Sequence, residues 1–150
     1  MRAVLQCVSS ASVTVNGGEP RAIGPGLVIL VGVTQTDTPA LAQKLAQKCA
    51  GLRVFPDRDD KLNCSAAGLG YSALVVSNFT LYGDASHGRR PSYTAAAKPS
   101  LAVEVYEAFL QALAGQGLRQ VQHGEFGADM RVSLVNEGPV TLILDTADWA

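Results

Sequence analysis

The sequence predicts an α+β fold made of largely antiparallel β-sheets with two main helices. Three observations predict it. Strand-like stretches dominate both ends of the chain, turn signals such as "NGG" (16–18) separate them closely enough for hairpins, and only two stretches have the 3.6-residue period of a helix. A chain of 150 residues fits one domain, spanning 1–150, that is large enough to bury an ordinary core.

The first half of the chain is predicted to form strands followed by one helix. Thr38 suits the N-cap of that helix and Pro39 its first position, and the helix is expected to end near Gly51. The apolar run "LVILVGV" is typical of a buried central strand. The strands predicted in this half are 2–8, 12–15, 21–23, 27–33 and 52–55.

The second half of the chain is predicted to hold the second helix, over about 100–114, ended by Gly115 and Gly117. The stretch 65–70 is expected to be a glycine-containing loop. A longer loop, 83–100, exceeds the usual length of a connection, which favours a functional role. The strands predicted in this half are 72–79, 119–124, 129–135 and 140–145.

Composition excludes several classes of protein. The net charge of −1 argues against a protein that coats nucleic acid over its whole surface, and the longest apolar run is too short to span a bilayer. Cys7, Cys49 and Cys64 are widely spaced, and His87 and His123 lie far apart, so no metal site is legible. No signal-peptide pattern opens the chain. We therefore expect a reduced, cytoplasmic protein without a metal, a cofactor or a membrane partner.

The stretch "SNFTLYGD" (77–84) is the first candidate site. Ser77 and Thr80 bring hydroxyl groups, and Asn78 brings an amide, to the end of a buried strand. Such groups bind ribose or carbonyl oxygens, and a hydroxyl with a nearby base acts as a nucleophile. No recognisable serine triad accompanies them, and strand ends commonly carry serine and threonine for structural reasons.

Two further stretches could contribute to a site. "HGRRPSY" presents Arg89 and Arg90 between glycine and proline, a pattern that suits phosphate binding as well as it suits an ordinary solvated loop. "GEFGADM" (124–130) places an aromatic ring between two glycines, where it could wall a small pocket.

The stretch "RVSLVNEGPVTLILD" (131–145) alternates like a strand on both sides of Gly138-Pro139. Proline donates no ladder hydrogen bond, and glycine weakens a strand interior. A turn is the simpler explanation. The alternative is that the rigid backbone at this point is itself functional.

Taken together, these stretches resemble the D-aminoacyl-tRNA deacylase family along nearly the whole chain. "IGPGLVILVGV", "SNFTLYGD", "GRRPSY", "FGADM" and "SLVNEGPVT" occur in the family's order. The late motif N-x-G-P-V-T is complete as Asn136, Gly138, Pro139, Val140 and Thr141.

The resemblance implies a barrel-like core and a homodimer with active sites at the subunit interface. It implies that the Gly138-Pro139 bond is cis and that one subunit projects these two residues, called the wedge below, into the partner's pocket. A backbone wall can reject L-aminoacyl groups by collision, whatever the side chain. Sparing them by a factor of ten thousand requires about 5.5 kcal/mol.

The implied reaction is hydrolysis of the ester that joins a D-amino acid to the 3′-terminal adenosine of tRNA, with glycyl esters as expected second substrates. Two mechanisms stay open: Thr80 attacks, or backbone N–H groups near Phe79 and Thr80 stabilise the oxyanion while the ribose 2′-hydroxyl helps to activate water. The second is favoured, because no base for Thr80 is evident. The implied catalytic residues are Ser77, Asn78, Phe79 and Thr80; the implied substrate-binding residues are Phe126, Met130, Asn136, Val140 and Thr141; the implied tRNA contacts are Arg89 and Arg90.

Two positions depart from the family pattern. Asn78 replaces the usual glutamine, and Cys7 stands where the family usually has an arginine that helps to hold the wedge. We therefore predict weaker discrimination between D- and L-esters than in a relative with that arginine.

Two other functions compete with the editing enzyme. The first is a non-catalytic module of the same fold that binds nucleic-acid 3′ ends, although such a module would not need the complete N-x-G-P-V-T motif. The second is a small-molecule esterase, but neither a G-x-S-x-G elbow nor a triad is present.

Overall fold

The computed structural model describes residues 1–149 and confirms the α+β class. Its strands are Arg2–Val15 (β1), Arg21–Ile23 (β2), Gly26–Gly32 (β3), Arg53–Pro56 (β4), Leu62–Ser65 (β5), Ser72–Ser77 (β6), Val121–His123 (β7) and Met130–Asp145 (β8). Its helices are Pro39–Gly51 (α1), Ala66–Leu69 (α2) and Pro99–Ala114 (α3), with 3-10 turns at Phe79–Tyr82 and Thr146–Asp148.

β1 organises the main sheet because three strands pair with it. β3 pairs antiparallel with its first half and β2 with its second half, while β8 pairs antiparallel with its other edge from Arg2 to Val15. β6 lies parallel to β3, and β7 lies parallel to β6. The predicted antiparallel character therefore holds for most pairs, and β4 with β5 forms a separate antiparallel hairpin.

Arg21 links the two ends of the curved sheet. Its Nη1 donates to the carbonyl of His123 at 2.8 Å, and its Nη2 contacts the Glu125 carboxylate at 2.9 Å. β2 is thereby held beside the end of β7, with no ladder between them. The sheet is a nearly closed barrel, as predicted.

The sheet buries a different apolar layer on each face. The face toward α1 and α3 carries the larger layer, in which Phe109 and Leu45 are fully buried. The other face fills the barrel interior with a smaller set: Val8, Ala11, Val13, Ile23, Val28, Leu74 and Val76. α1 begins as predicted, since the Thr38 hydroxyl accepts a hydrogen bond from Leu41 N at 3.2 Å.

The α-ammonium group of Met1 is buried between two polar side chains. It lies 2.8 Å from Asp37 Oδ1 and 2.6 Å from Thr146 Oγ1. Thr146 N in turn donates to the Met1 carbonyl at 2.9 Å. These contacts fix the start of β1 against the segment that follows β8.

Four sequence predictions about secondary structure were wrong. The predicted strands 2–8 and 12–15 are one strand, and so are 129–135 and 140–145, because irregular pairing between β1 and β8 absorbs the interruptions. The predicted strand 72–79 ends at Ser77. The predicted loop 65–70 contains α2, which the Ser65 hydroxyl caps by accepting from Gly68 N at 3.0 Å.

β5 was not anticipated at all, because none of its four residues is buried and they show no clear alternation. Within the described residues, no helix is long and apolar enough to cross a membrane.

Candidate active site

The 3-10 turn Phe79–Tyr82 forms an exposed ledge at the end of β6. Asn78 N donates to the Val31 carbonyl at 2.8 Å, which anchors the turn to β3. The N–H groups of Phe79 and Thr80 come first in the turn and have no acceptor among residues 1–149. Both residues are exposed. Paired backbone donors of this kind can stabilise an oxyanion.

The side chains of Asn78 and Thr80 bond to each other. The Thr80 hydroxyl donates to Asn78 Oδ1 in a short hydrogen bond. No imidazole or carboxylate within the described residues bonds to that hydroxyl. The Thr80 hydroxyl therefore donates its hydrogen bond to an amide oxygen, which does not act as a general base.

Arg2 supports the ledge from beneath. Its Nη1 donates to the Leu81 carbonyl at 3.0 Å, and its guanidinium carbon lies 4.5 Å from the centroid of the Tyr82 ring. Its Nε contacts Asp145 Oδ2 at 2.7 Å. Sequence analysis missed this role, because the first residue of a strand gives no signal of a contact with a turn far along the chain.

The loop between the ledge and α3 folds back over the ledge. The Tyr93 ring packs edge-on against Phe79, with centroids 5.3 Å apart. Backbone hydrogen bonds of 2.7 and 2.9 Å join Asp84 to Ser92 and close the loop at its base. Arg89 lies on the exposed part that these bonds enclose, next to Arg90.

Phe126 lies between β7 and β8, Met130 is the first residue of β8, and both are half-buried. The Phe126 ring is 6.4 Å from the Tyr106 ring. The Met130 sulfur packs against Gly124, where a Cβ would lie only 2.3 Å from it. Gly124 N donates to the Val75 carbonyl at 3.1 Å, so the segment between β7 and β8 is tied to β6, the strand that ends at the ledge.

The wedge is an exposed excursion of β8. Asn136 pairs with Val8 and Thr141 pairs with Gln6, so residues 137–140 bulge out opposite Cys7. The Gly138-Pro139 bond is cis, and Gly138 has φ +112°, in a region that L side chains rarely adopt. Gln6 Nε2 donates to Thr141 Oγ1 at 3.1 Å just beyond the bulge.

The wedge and the ledge lie apart in the single chain. In sheet register, Cys7 faces Leu27 and Leu27 faces Ala73, which is four residues before Ser77. Four residues along a strand and three strand spacings across the sheet amount to roughly 20 Å. The structure thus brings Ser77, Asn78, Phe79 and Thr80 together but places the wedge at another part of the same sheet.

The Cys7 thiol packs against the backbone of β4. Its Sγ lies 3.5 Å from the Val54 carbonyl, and burial raises the pKa of the thiol to about 11. The side chain is therefore a neutral part of the core. No group of histidine, cysteine or carboxylate side chains in the described part of the chain could hold a metal ion.

Comparison with known proteins decides the family. The profile of the family described as D-Tyr-tRNA(Tyr) deacylase matches residues 4–145. The chain belongs to this deacylase family. It is similar to the D-aminoacyl-tRNA deacylase of Chloroflexus aurantiacus, with 52% identity over 148 residues, covering 99% of this chain and 92% of that protein.

Two solved structures resemble the deacylase fold of this chain. The c-Myc DNA Unwinding Element Binding Protein superposes with a TM-score of 0.89 and 37% identity, covering 97% of this chain and 98% of that one. A probable eukaryotic D-amino acid tRNA deacylase superposes with a TM-score of 0.83 over 95% of this chain and 97% of that one. Its identity is 15%, so that likeness concerns the fold.

Proposed function

We propose that the protein hydrolyses the ester of D-aminoacyl-tRNA and releases the free D-amino acid and tRNA. The observation that carries this proposal is the exposed ledge with its two unpaired N–H groups, at Phe79 and Thr80, in a chain of the deacylase family. An ester carbonyl seated against the ledge gains negative charge on its oxygen as water attacks. Two fixed donors stabilise that charge without reorganisation, and loss of one such donor costs about 3 kcal/mol of barrier.

The attacking group is water rather than Thr80. The Thr80 hydroxyl donates to Asn78, so it has no base to remove its proton. In the proposed reaction the ribose 2′-hydroxyl of the terminal adenosine helps to activate the water. Ser77 and Asn78 orient the ester, and no cofactor is required.

The enzyme works as a homodimer in which each wedge enters the partner's site. The separation of wedge and ledge within one protomer supports this, because a single chain does not bring them together. β8 also exposes apolar side chains that a partner would bury, with Ile143 at 77% exposure and Val135 at 54%. Met130, Val140, Thr141 and Phe126 line the composite pocket.

Chirality is selected by collision with backbone. The wedge presents Gly138 and Pro139 and no long side chain, so it tests the substituents at the substrate's Cα, whatever the amino acid. D-aminoacyl groups of many kinds fit, and L-aminoacyl groups collide. Glycyl groups, which have no side chain, also fit and are second substrates.

The phosphate backbone of tRNA contacts Arg89 and Arg90. Both guanidinium groups lie on an exposed loop, and neither forms an ion pair within residues 1–149. Because phosphate contacts depend on counterion release, binding weakens as salt rises. The site of action is the cytoplasm, where aminoacyl-tRNA is used.

Deacylation of matched D-tyrosyl-, L-tyrosyl- and glycyl-tRNA by the purified protein tests this function. We expect fast loss of the D-ester and the glycyl ester, with the L-ester spared. Equal loss of the D- and L-esters would contradict the selection of D-aminoacyl groups, although it would still support ester hydrolysis by the protein.

A nucleic-acid-binding module is the second candidate function. It is favoured by the name of the 37%-identical structural relative, the c-Myc DNA Unwinding Element Binding Protein. Binding of tRNA with no turnover of any ester would support this module and overturn the deacylase.

A further inference from the structure

The bulge in β8, residues 137–140, lies opposite a single residue of β1. On β1 a single residue, Cys7, lies between the two paired positions, whereas four residues, 137–140, lie between them on β8. The extra residues must leave the ladder, and their direction depends on what holds the two ends together. Asn136 is the last paired residue before the bulge.

The Asn136 side-chain amide nitrogen forms hydrogen bonds on both sides of the place where the bulge leaves the sheet. It donates to the Cys7 carbonyl at 2.9 Å across the strand pair and to the Val140 carbonyl at 3.0 Å at the far end of the bulge. An asparagine amide has two N–H donors, so both are used. The side chain is half-buried, which limits competition from water.

No other side chain in the described chain joins the two ends in this way. The Cys7 thiol points toward Val54, and only its backbone carbonyl serves the bulge. The Gln6 side chain bonds to Thr141, which lies beyond the bulge, so this bond does not fix the direction of the bulge. Gly138 makes no side-chain contact here, and a Cβ at this position would lie only 2.9 Å from Val140 Cγ2.

We propose that Asn136 is a positioning residue that sets the direction of the wedge by joining the carbonyls of Cys7 and Val140. This inference rests on the proposed function. Selection by collision requires the wedge to stay within a fraction of an ångström of its place, because a wall that turns aside admits the wrong hand. Loss of the two bonds therefore affects the choice between D- and L-esters more than it affects hydrolysis itself.

Two variants test the role of the amide. Asn136→Ala removes both bonds, and Asn136→Asp keeps the shape but places an oxygen that cannot donate against two carbonyl oxygens. We expect the D-to-L ratio of kcat/KM on tyrosyl-tRNA to fall at least tenfold in both, mainly through faster loss of the L-ester. The matched control is Asn63→Ala, which removes an amide bond to Asp57 in the β4–β5 hairpin and should keep the ratio of the parent.

A ratio within twofold of the parent in either folded variant would overturn the proposal. A fall in D-ester turnover with an unchanged ratio would also overturn it, because a merely structural residue gives that result. Slow D-ester turnover by the parent itself would instead refute the proposed function. The two failures are therefore distinguishable.

A measurement on the unsubstituted protein applies even if both variants fail to fold. In the parent, both side-chain amide protons of Asn136 should exchange with solvent at least tenfold more slowly than those of the exposed Asn63, as read by NMR. Exchange of the Asn136 protons at the rate of Asn63 would show that the two bonds do not persist, and the proposal would be wrong.

Discussion

Arg2 Nε and Asp145 Oδ2 lie 2.7 Å apart, which joins the start of β1 to the end of β8 directly beneath the ledge. The same guanidinium holds the Leu81 carbonyl at 3.0 Å. One side chain therefore connects the ends of two paired strands to the turn that carries the proposed oxyanion donors.

Substitution Arg2→Ala should lower both stability and turnover. The Arg2 side chain is 41% exposed, so we discount its ion pair and expect a loss of about 1–2 kcal/mol in the free energy of unfolding by urea. Turnover of D-tyrosyl-tRNA should fall further than stability explains, because the Leu81 carbonyl loses its donor and the ledge shifts. Arg53→Ala, which removes a side-chain bond to Asn63 away from the ledge, is the control. Equal turnover in the two variants would contradict the role of Arg2.

The Asp145 carboxylate should make stability depend on pH. Partial burial opposes its ionisation, but hydrogen bonds from Arg2 and Ala147 N, with the positive charges nearby, outweigh burial and lower its pKa. A carboxyl group whose pKa is lowered by folding stabilises the protein above its unfolded pKa of about 4. That contribution is lost as pH falls through the lower, folded pKa.

We therefore expect Asp145→Asn to cost about 1 kcal/mol at pH 7 and progressively less below pH 4, as measured by urea unfolding at each pH. A cost that is constant from pH 7 to pH 3 would show that the carboxylate charge is not the cause.

Gly83→Ala should disturb the ledge by steric contact. The backbone at Gly83 has φ −68°, which alanine adopts freely. The added Cβ would, however, lie 2.9 Å from both the Thr80 carbonyl oxygen and the Tyr93 ring. The ring can move, but the backbone carbonyl belongs to the ledge. We expect a loss of about 1–3 kcal/mol in stability and slower turnover. Gly51→Ala, where a Cβ meets nothing within 4 Å, should leave turnover unchanged.

Removal of the carboxylate at Asp37 should be costly. Asp37→Ala leaves the Met1 ammonium group buried and removes the acceptor of Thr34 N at 2.7 Å. Breaking a buried pair on one side typically costs about 3–5 kcal/mol. The free energy of unfolding measures this loss, with Asp59→Ala in the exposed β4–β5 turn as the control. A loss below about 1 kcal/mol would mean that water reaches the ammonium group.

Weaker discrimination between D- and L-esters than in a relative with an arginine at the position of Cys7 stays a prediction. The family pattern led us to expect weaker selection here, because Cys7 cannot make the charged contacts of an arginine. The ratio of D- to L-ester hydrolysis, measured beside a relative with that arginine, checks this. Equal ratios would indicate that the wedge is fully held without a charged residue at position 7.

Local sequence signals predicted much of the fold but not its long-range pairing. α1 followed from Thr38 and Pro39, and β3 from its apolar run, because these features act within a few residues. The continuity of β8 through Gly138-Pro139 could not be predicted, because the bulge is defined by the partner strand at Cys7.

The same limit applies to the site. Ser77 to Thr80 were identified as a strand end with polar groups, and the structure places them there. The support from Arg2 and the two bonds of Asn136 depend on contacts between distant parts of the chain. A one-dimensional pattern carries no trace of such contacts.

The pairing of β1 with β8 also governs how the protein is made. Arg2 pairs with Asp145 and Val15 with Met130, so β1 is synthesised well before β8, the strand with which it pairs along its whole length. Until then one edge of β1 presents unpaired N–H and C=O groups, which invite pairing with other chains. Contacts of such sequence separation also slow folding. In the nascent chain β1 therefore waits for β8 with one edge unpaired, and the barrel can assemble only after β8 has been synthesised.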